Sequence, residues 1–166
     1  MAVAGVVIGV DPGAVRTGMA ATDPGQLLAS PVRTLEAGED VSGVVTEVQE
    51  RDAVAVVVGL PIALSGQEGT AAQVARSYAR RLAAGLAELA PVFLVDERLT
   101  TVTAHAALKA AGHDSRSARR VVDQAAAAAL LQGVVDAAQA RQVDCLTLLS
   151  AGMGELVTPS SGQATD

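Results

Sequence analysis

Three places in this chain combine an acid with a position from which it could do chemistry. Asp11 closes the apolar run Val6-Val7-Ile8-Gly9-Val10 and is followed by Pro12 and Gly13. Asp96 and Glu97 close a second apolar run, Val92-Phe93-Leu94-Val95. Asp123 stands in Val121-Val122-Asp123-Gln124-Ala125-Ala126-Ala127, a stretch otherwise uncharged. A carboxylate in such surroundings is costly to bury unless it is paired, protonated or bound to a metal. Carboxylates gathered in one place repel, and hard divalent cations with oxygen ligands relieve the repulsion. Two such ions about 4 Å apart stabilise the attacking and leaving oxygens of an in-line phosphoryl displacement. Taken singly, each acid also reads as a turn former, a cap or an exposed helix residue. Their common place at the ends of apolar elements is what points to a site.

The elements that must position them follow from apolar periodicity. Val6 to Val10 is apolar without alternation, as in a strand buried on both faces. Pro12 lacks an N–H to continue the ladder, and Gly13 permits a tight exit. Asp11 then lies at the carboxyl end of a central strand, where open α/β sheets bind ligands. Thr17 to Thr22 and Leu27 to Leu35 read as two more strands in an antiparallel meander, with Pro31 marking an edge strand or a bulge. Asp40 is the expected N-cap of a helix to about Arg51, built on Val41, Val44, Val45 and Val48.

Ala53 to Gly59 is a second fully apolar strand, leading through Leu60-Pro61 into a loop with Gly66 and Gly69. Helices are expected from Thr70 to Ala87, from Thr100 or Thr101 to Ala111, and from Ser115 or Ser117 to about Ala140. The order predicts an α/β fold: a mixed five-stranded sheet, antiparallel meander then parallel strands, with helices on both faces. Residues 1–142 form the expected domain. Residues 143–166 read as an extension, its polar end from Thr158 to Asp166 too poor in apolar side chains to pack.

The 166 residues suit one domain with a sizeable core, 50% hydrophobic but only 1% aromatic, so Ala, Val and Leu must build it. No apolar run approaches the roughly 20 residues that span a bilayer, and no basic segment precedes the first apolar stretch, so neither membrane nor secretory leader is expected. The single Cys145 reads as a small hydrophobe in a reducing, cytoplasmic setting. A net charge of −6 argues against a broadly basic nucleic-acid coat. The basic residues are nevertheless clustered. Lys109, Arg116, Arg119 and Arg120 face only Asp114 between His105 and Arg120, and Arg76, Arg80 and Arg81 share a predicted helix. Such clusters mark either a nucleic-acid contact or a solvated face.

The chain resembles the YqgF (RuvX) family of RNase H-like proteins, to which Holliday-junction resolution and pre-16S rRNA processing are ascribed. The resemblance covers about Val6 to Asp136. It rests on Gly9-Val10-Asp11-Pro12-Gly13 with Arg16 and Gly18, on Ser30-Pro31, and on Val57-Val58-Gly59-Leu60-Pro61 with Gly66 and Gly69. It rests further on Asp96-Glu97-Arg98-Leu99-Thr100-Thr101 and on Val122-Asp123-Gln124-Ala125-Ala126. It implies an RNase H-like fold and a nuclease site in which Asp11, Glu97 and Asp123 are catalytic and hold Mg²⁺ or Mn²⁺, two ions in all. Asp96 is the alternative to Glu97. Neighbours in a strand point to opposite faces, so only one of the two should reach the site, and the longer arm of Glu97 suits a strand-end ligand. Arg16, Arg98 and Thr100 are candidates for phosphate contact, together with Lys109, Arg116, Arg119 and Arg120. RNA or branched DNA is the implied partner, and symmetric cutting of a junction would require a homodimer.

Two departures qualify this. Resolvases of the RuvC type, to which the Asp11-Pro12-Gly13 turn is also similar, carry a Glu at the end of the fourth strand, where this chain has Gly59-Leu60-Pro61. They carry two acids on the last helix, where this chain follows Asp123 with Ala126 and Ala127. One ligand has moved to the next strand and one is missing, so junction specificity of the RuvC kind does not follow from the resemblance. Rival readings exist. Asp11-x-Gly13-x4-Gly18 also fits the phosphate loop of actin-like ATPases and sugar kinases, which need two such domains closing on a nucleotide. A non-catalytic nucleic-acid-binding or ribosome-assembly factor is the third reading.

Overall fold

The computed structural model of the chain describes residues 4–99 and 116–159. The first apolar run becomes β1 (Val7–Pro12), which turns back into β2 (Arg16–Thr22), and β2 pairs antiparallel with β3 (Ala29–Glu36). β3 is an edge strand, and the register of its ladder with β2 shifts between Met19 and Ala20, the latter opposite Pro31. Both consequences of a proline in a strand are therefore present together. Helix α1 (Ser42–Arg51) leads to β4 (Ala55–Leu60), and α2 (Thr70–Leu86) to β5 (Val92–Asp96). β4 runs parallel to both β1 and β5 and lies between them. A 3₁₀ turn, Glu97–Leu99, continues β5, and α3 (Arg116–Ala140) is the long last helix. The helix expected to begin at Thr100 or Thr101, with Thr100 and Lys109, lies outside the described residues.

The sheet has six strands, not the five expected. After α3, Cys145–Leu148 forms a short helix α4, a wide turn spans Leu149–Met153, and Glu155–Val157 forms β6, antiparallel to β5. The order is β3-β2-β1-β4-β5-β6. Three residues carry no periodicity. What recruits them is the outer edge of β5, whose backbone groups need partners wherever a chain covers them. Asp40 is not the N-cap of α1 either. Val41 holds that position without a side-chain bond. The Asp40 carboxylate pairs with Arg81 at 3.1 Å, and its carbonyl accepts from the Tyr78 hydroxyl at 2.6 Å. The acid therefore ties the start of α1 to α2.

Strand alternation sorts the apolar residues into two cores. Ile8, Val10, Val56, Val58, Val92 and Leu94 face α1 and α2. Val7, Val57, Phe93 and Val95 face α3, which buries Ala127, Leu130, Leu131, Val134 and Val135 against them. By length and composition alone α3 could cross a membrane, but this inner face is used by the sheet. Cys145 is buried in the same core, its thiol pushed up to about 11 by burial and then by the charge of Asp144. It is unreactive there.

The segment after α3 is fastened by one buried polar side chain. Gln26 is 5% exposed. Its Nε2 donates to the Gly5 carbonyl at 2.9 Å, and its Oε1 accepts from the Cys145 N–H at 2.8 Å. Gln26→Ala leaves both backbone groups without their partner, at a cost of about 1–3 kcal/mol. The expected outcome is a melting temperature lower by several degrees, with amide exchange accelerated first over 145–157.

Candidate active site

Asp11 is the penultimate residue of β1 and stands opposite Gly18 of β2. Its alternation parity places it on the face covered by α3. Glu97 begins the turn after β5, with β4 lying between it and β1. To reach Asp11 the Glu97 side chain must cross β4, and it does so over Gly59. A Cβ at 59 would sit 2.7 Å from Glu97 Oε1 and 3.2 Å from its Cγ. The bare backbone there is what lets the carboxyl through. Asp11 and Glu97 are hydrogen-bonded to each other. The Asp11 carboxyl is pushed up to about 8, first by burial, then by its bond to Glu97, then by the charges of Glu97 and Asp123. Crowded together, the two carboxyls favour a proton between them over two negative charges.

Asp123 comes from α3, whose backbone lies directly on β2. A Cβ at Gly18 would collide with the Asp123 carbonyl, and the Gln124 nitrogen would be 3.0 Å away. The charge of Asp123 reaches Asp11, but its carboxylate is turned to Arg16, whose Nε donates to Oδ2 at 3.0 Å. Among the described residues, no three acidic, histidine or cysteine side chains stand together in position to hold one ion. Two of the expected carboxyls are paired, and the third is bonded to a guanidinium instead.

Asp96 goes elsewhere, as its parity requires. It accepts from the Arg98 guanidinium at 2.6 Å and from the Arg98 backbone N–H at 2.9 Å, and the Arg98 contacts hold its carboxyl below the ordinary range. Arg120 pairs with Glu36. Arg116 and Arg119 belong to the first turn of α3, where only the backbone is described. Arg76 is committed to Glu68 and Glu155, and Arg81 to Asp40. Each basic candidate whose side chain is described (Arg16, Arg98, Arg120) is thus in an ion pair with an acid. Exposed pairs of this kind are worth about 0–1 kcal/mol, so a phosphate can displace them. Sequence reading missed the part played by Gly18 and Gly59. A glycine inside an apolar strand was the available signal, because it marks close approach of another group.

The donor set consists of carboxyl oxygens, the ligand type of Mg²⁺ and Mn²⁺. A family model described as RuvX, Holliday junction resolvase, matches residues 5–137. A Kineococcus radiotolerans protein named "Putative pre-16S rRNA nuclease" is 51% identical over 137 residues, 80% of this chain and 72% of its own. Proteins of the same name from Thermobifida fusca and Nocardia farcinica are 48% and 39% identical. The first match covers 80% of this chain and 87% of the relative, the second 95% and 88%. Among solved structures, T. thermophilus RuvC in complex with a Holliday junction substrate matches with a TM-score of 0.52 at 17% identity, over 92% of this chain and 99% of that one. That likeness is one of fold, the RNase H-like arrangement.

Two outcomes test the site. Gly59→Ala meets only movable side chains, so it displaces Glu97 and should abolish activity with little change in melting temperature. Gly18→Ala meets helix backbone and should cost about 1–3 kcal/mol as well. The second concerns pH. Between the ordinary 3.8 and about 8, native Asp11 holds a proton that the unfolded chain has lost. The stability this contributes is fully present below that window and lost as pH rises through it. In EDTA the melting temperature should fall from about pH 5 to pH 8, and less so in Asp11→Asn. The carboxyls held below their ordinary range, such as Asp96, change stability only at lower pH.

Proposed function

The chain belongs to the RuvX family, described as Holliday junction resolvases, and from that premise we propose that it is a divalent-metal-dependent endonuclease acting on structured nucleic acid. The observation that carries the proposal is the Asp11–Glu97 carboxyl pair, brought together over Gly59 beside Asp123. Two half-buried acids confronting each other are unfavourable unless a cation or a proton lies between them. Asp11 and Glu97 would hold Mg²⁺ or Mn²⁺, with Asp123 completing the set. A bound pair of ions supplies charge stabilisation to the attacking and leaving oxygens of phosphodiester hydrolysis. Asp11 gives up its proton as it becomes a ligand, so binding is tighter at higher pH. Arg98 and Arg120, exposed and weakly paired, hold backbone phosphates in register, and Thr100, Lys109, Arg116 and Arg119 are proposed as further phosphate contacts.

The substrate is a ribosomal RNA precursor or a branched DNA. The names of relatives at 39–51% identity favour 5′-end processing of pre-16S rRNA, while the family description favours the junction. Cutting a junction symmetrically requires a homodimer, whereas trimming an RNA does not. Matched RNA-precursor and four-way-junction substrates, with Mn²⁺ or with EDTA, test the proposal. Cleavage should require the cation, and Asp11→Asn should lose more than about 100-fold in rate, beyond the loss typical of residues that only support a ligand. Circular dichroism should show its fold unchanged. Binding without metal-dependent cleavage would instead assign the chain to the non-catalytic reading.

A further inference from the structure

Arg16 opens β2 on the face that carries Gly18 and Asp123, and its carbonyl accepts from the Gly13 N–H at 2.8 Å. Its backbone is therefore fixed at the mouth of the site, while its guanidinium reaches a carboxylate 107 residues away in sequence. The pair is accessible: the two side chains are 22% and 30% exposed. Asp123 is bonded to a partner that stays positively charged at every ordinary pH, and that partner occupies one of its two carboxylate oxygens. A guanidinium and a divalent cation drawing on the same carboxylate repel each other, so each weakens the other's hold. We propose that Arg16 is a latch: it holds Asp123 off the Asp11–Glu97 pair until a divalent cation arrives, and its released guanidinium then takes a phosphate of the nucleic acid.

This rests on the metal-nuclease reading and adds an order to it. In the metal-free chain Arg16 offsets part of the charge of Asp123, the remainder of which is still felt by Asp11. When the cation draws Asp123 in, the planar fork of Arg16 is left at the carboxyl edge of the sheet, with a geometry matched to a phosphate. The grip on substrate at this point is therefore built only after the cation is in place. Metal binds first and nucleic acid is clamped second, so the unloaded chain holds its substrate by one phosphate contact fewer.

The test compares wild type with Arg16→Gln and Arg16→Met by two readouts that need no turnover. Calorimetric titration with Mn²⁺ alone should show both variants binding about two- to fivefold tighter, the scale of a weak, half-exposed ion pair. The second readout is the salt dependence of binding to a labelled RNA hairpin and a four-way DNA junction, in EDTA and in Ca²⁺. The log–log slopes of wild type and variants should coincide in EDTA. In Ca²⁺ the wild-type slope should be steeper by about 0.7–0.9, one phosphate contact. Unchanged or weaker Mn²⁺ affinity in the variants overturns the latch. So does a slope difference that is the same with and without Ca²⁺, because a mere field effect of the Arg16 charge would not depend on the cation. A wild-type chain that binds no Mn²⁺ removes the metal-nuclease reading itself, and the latch with it.

Discussion

Two carboxyl groups are pressed together at the carboxyl edge of the sheet, and everything around them works against their separation. Asp11 is fixed by β1 in the middle of the sheet, and Glu97 is aimed at it by the turn that ends β5. Both are taken from water into the angle between sheet and helix, where each would be more stable alone. The fold tolerates this because its apolar surface lies elsewhere. Val, Ala and Leu fill the two faces of the central strands without a polar interruption until the strands end. The site is a local loss of stability carried by a core that has nothing to do with it chemically.

Closeness is the second demand. Carboxyls from strands two apart, and from a helix crossing above, meet only if the layers are thin at that point. Gly18 and Gly59 thin the sheet side. Ala127, fully buried in the core between α3 and the sheet, does the same on the helix side with its small side chain. Farther along α3 the spacing is set by larger residues, Leu130, Leu131, Val134 and Val135, which provide the burial that anchors the helix. Helix and sheet thus divide α3 lengthwise into an end that approaches and an end that packs.

Much of this was legible in the residues. Apolar runs without alternation located β1, β4 and β5, and parity along the last of these allowed only one of Asp96 and Glu97 on the face of Asp11; the structure turns Asp96 to Arg98. Pro31 announced an edge strand or a bulge, and β3 is an edge strand whose register is also irregular. Local patterns were silent where partners are remote. β6 exists because β5 has an edge to fill, not because Glu155-Leu156-Val157 prefers to be a strand. Asp40 has the residue type of an N-cap but finds better partners on α2, in Arg81 and Tyr78. The Arg16–Asp123 pair joins residues that no window along the chain would hold together.

The crossing of Glu97 over β4 also bears on how such a site can change over generations. RuvC-type proteins, as their resemblance to this chain indicates, bear the second acid on the fourth strand itself. Here that strand presents Gly59, and the acid arrives from the neighbour. A chain with side chains at both positions would have them collide, and a chain with neither would lack the acid. The two positions are therefore epistatic: each residue is acceptable only in the presence of the other's present state. A shift of the carboxylate from one strand to the other would therefore take paired substitutions, at 59 and at 97, rather than one.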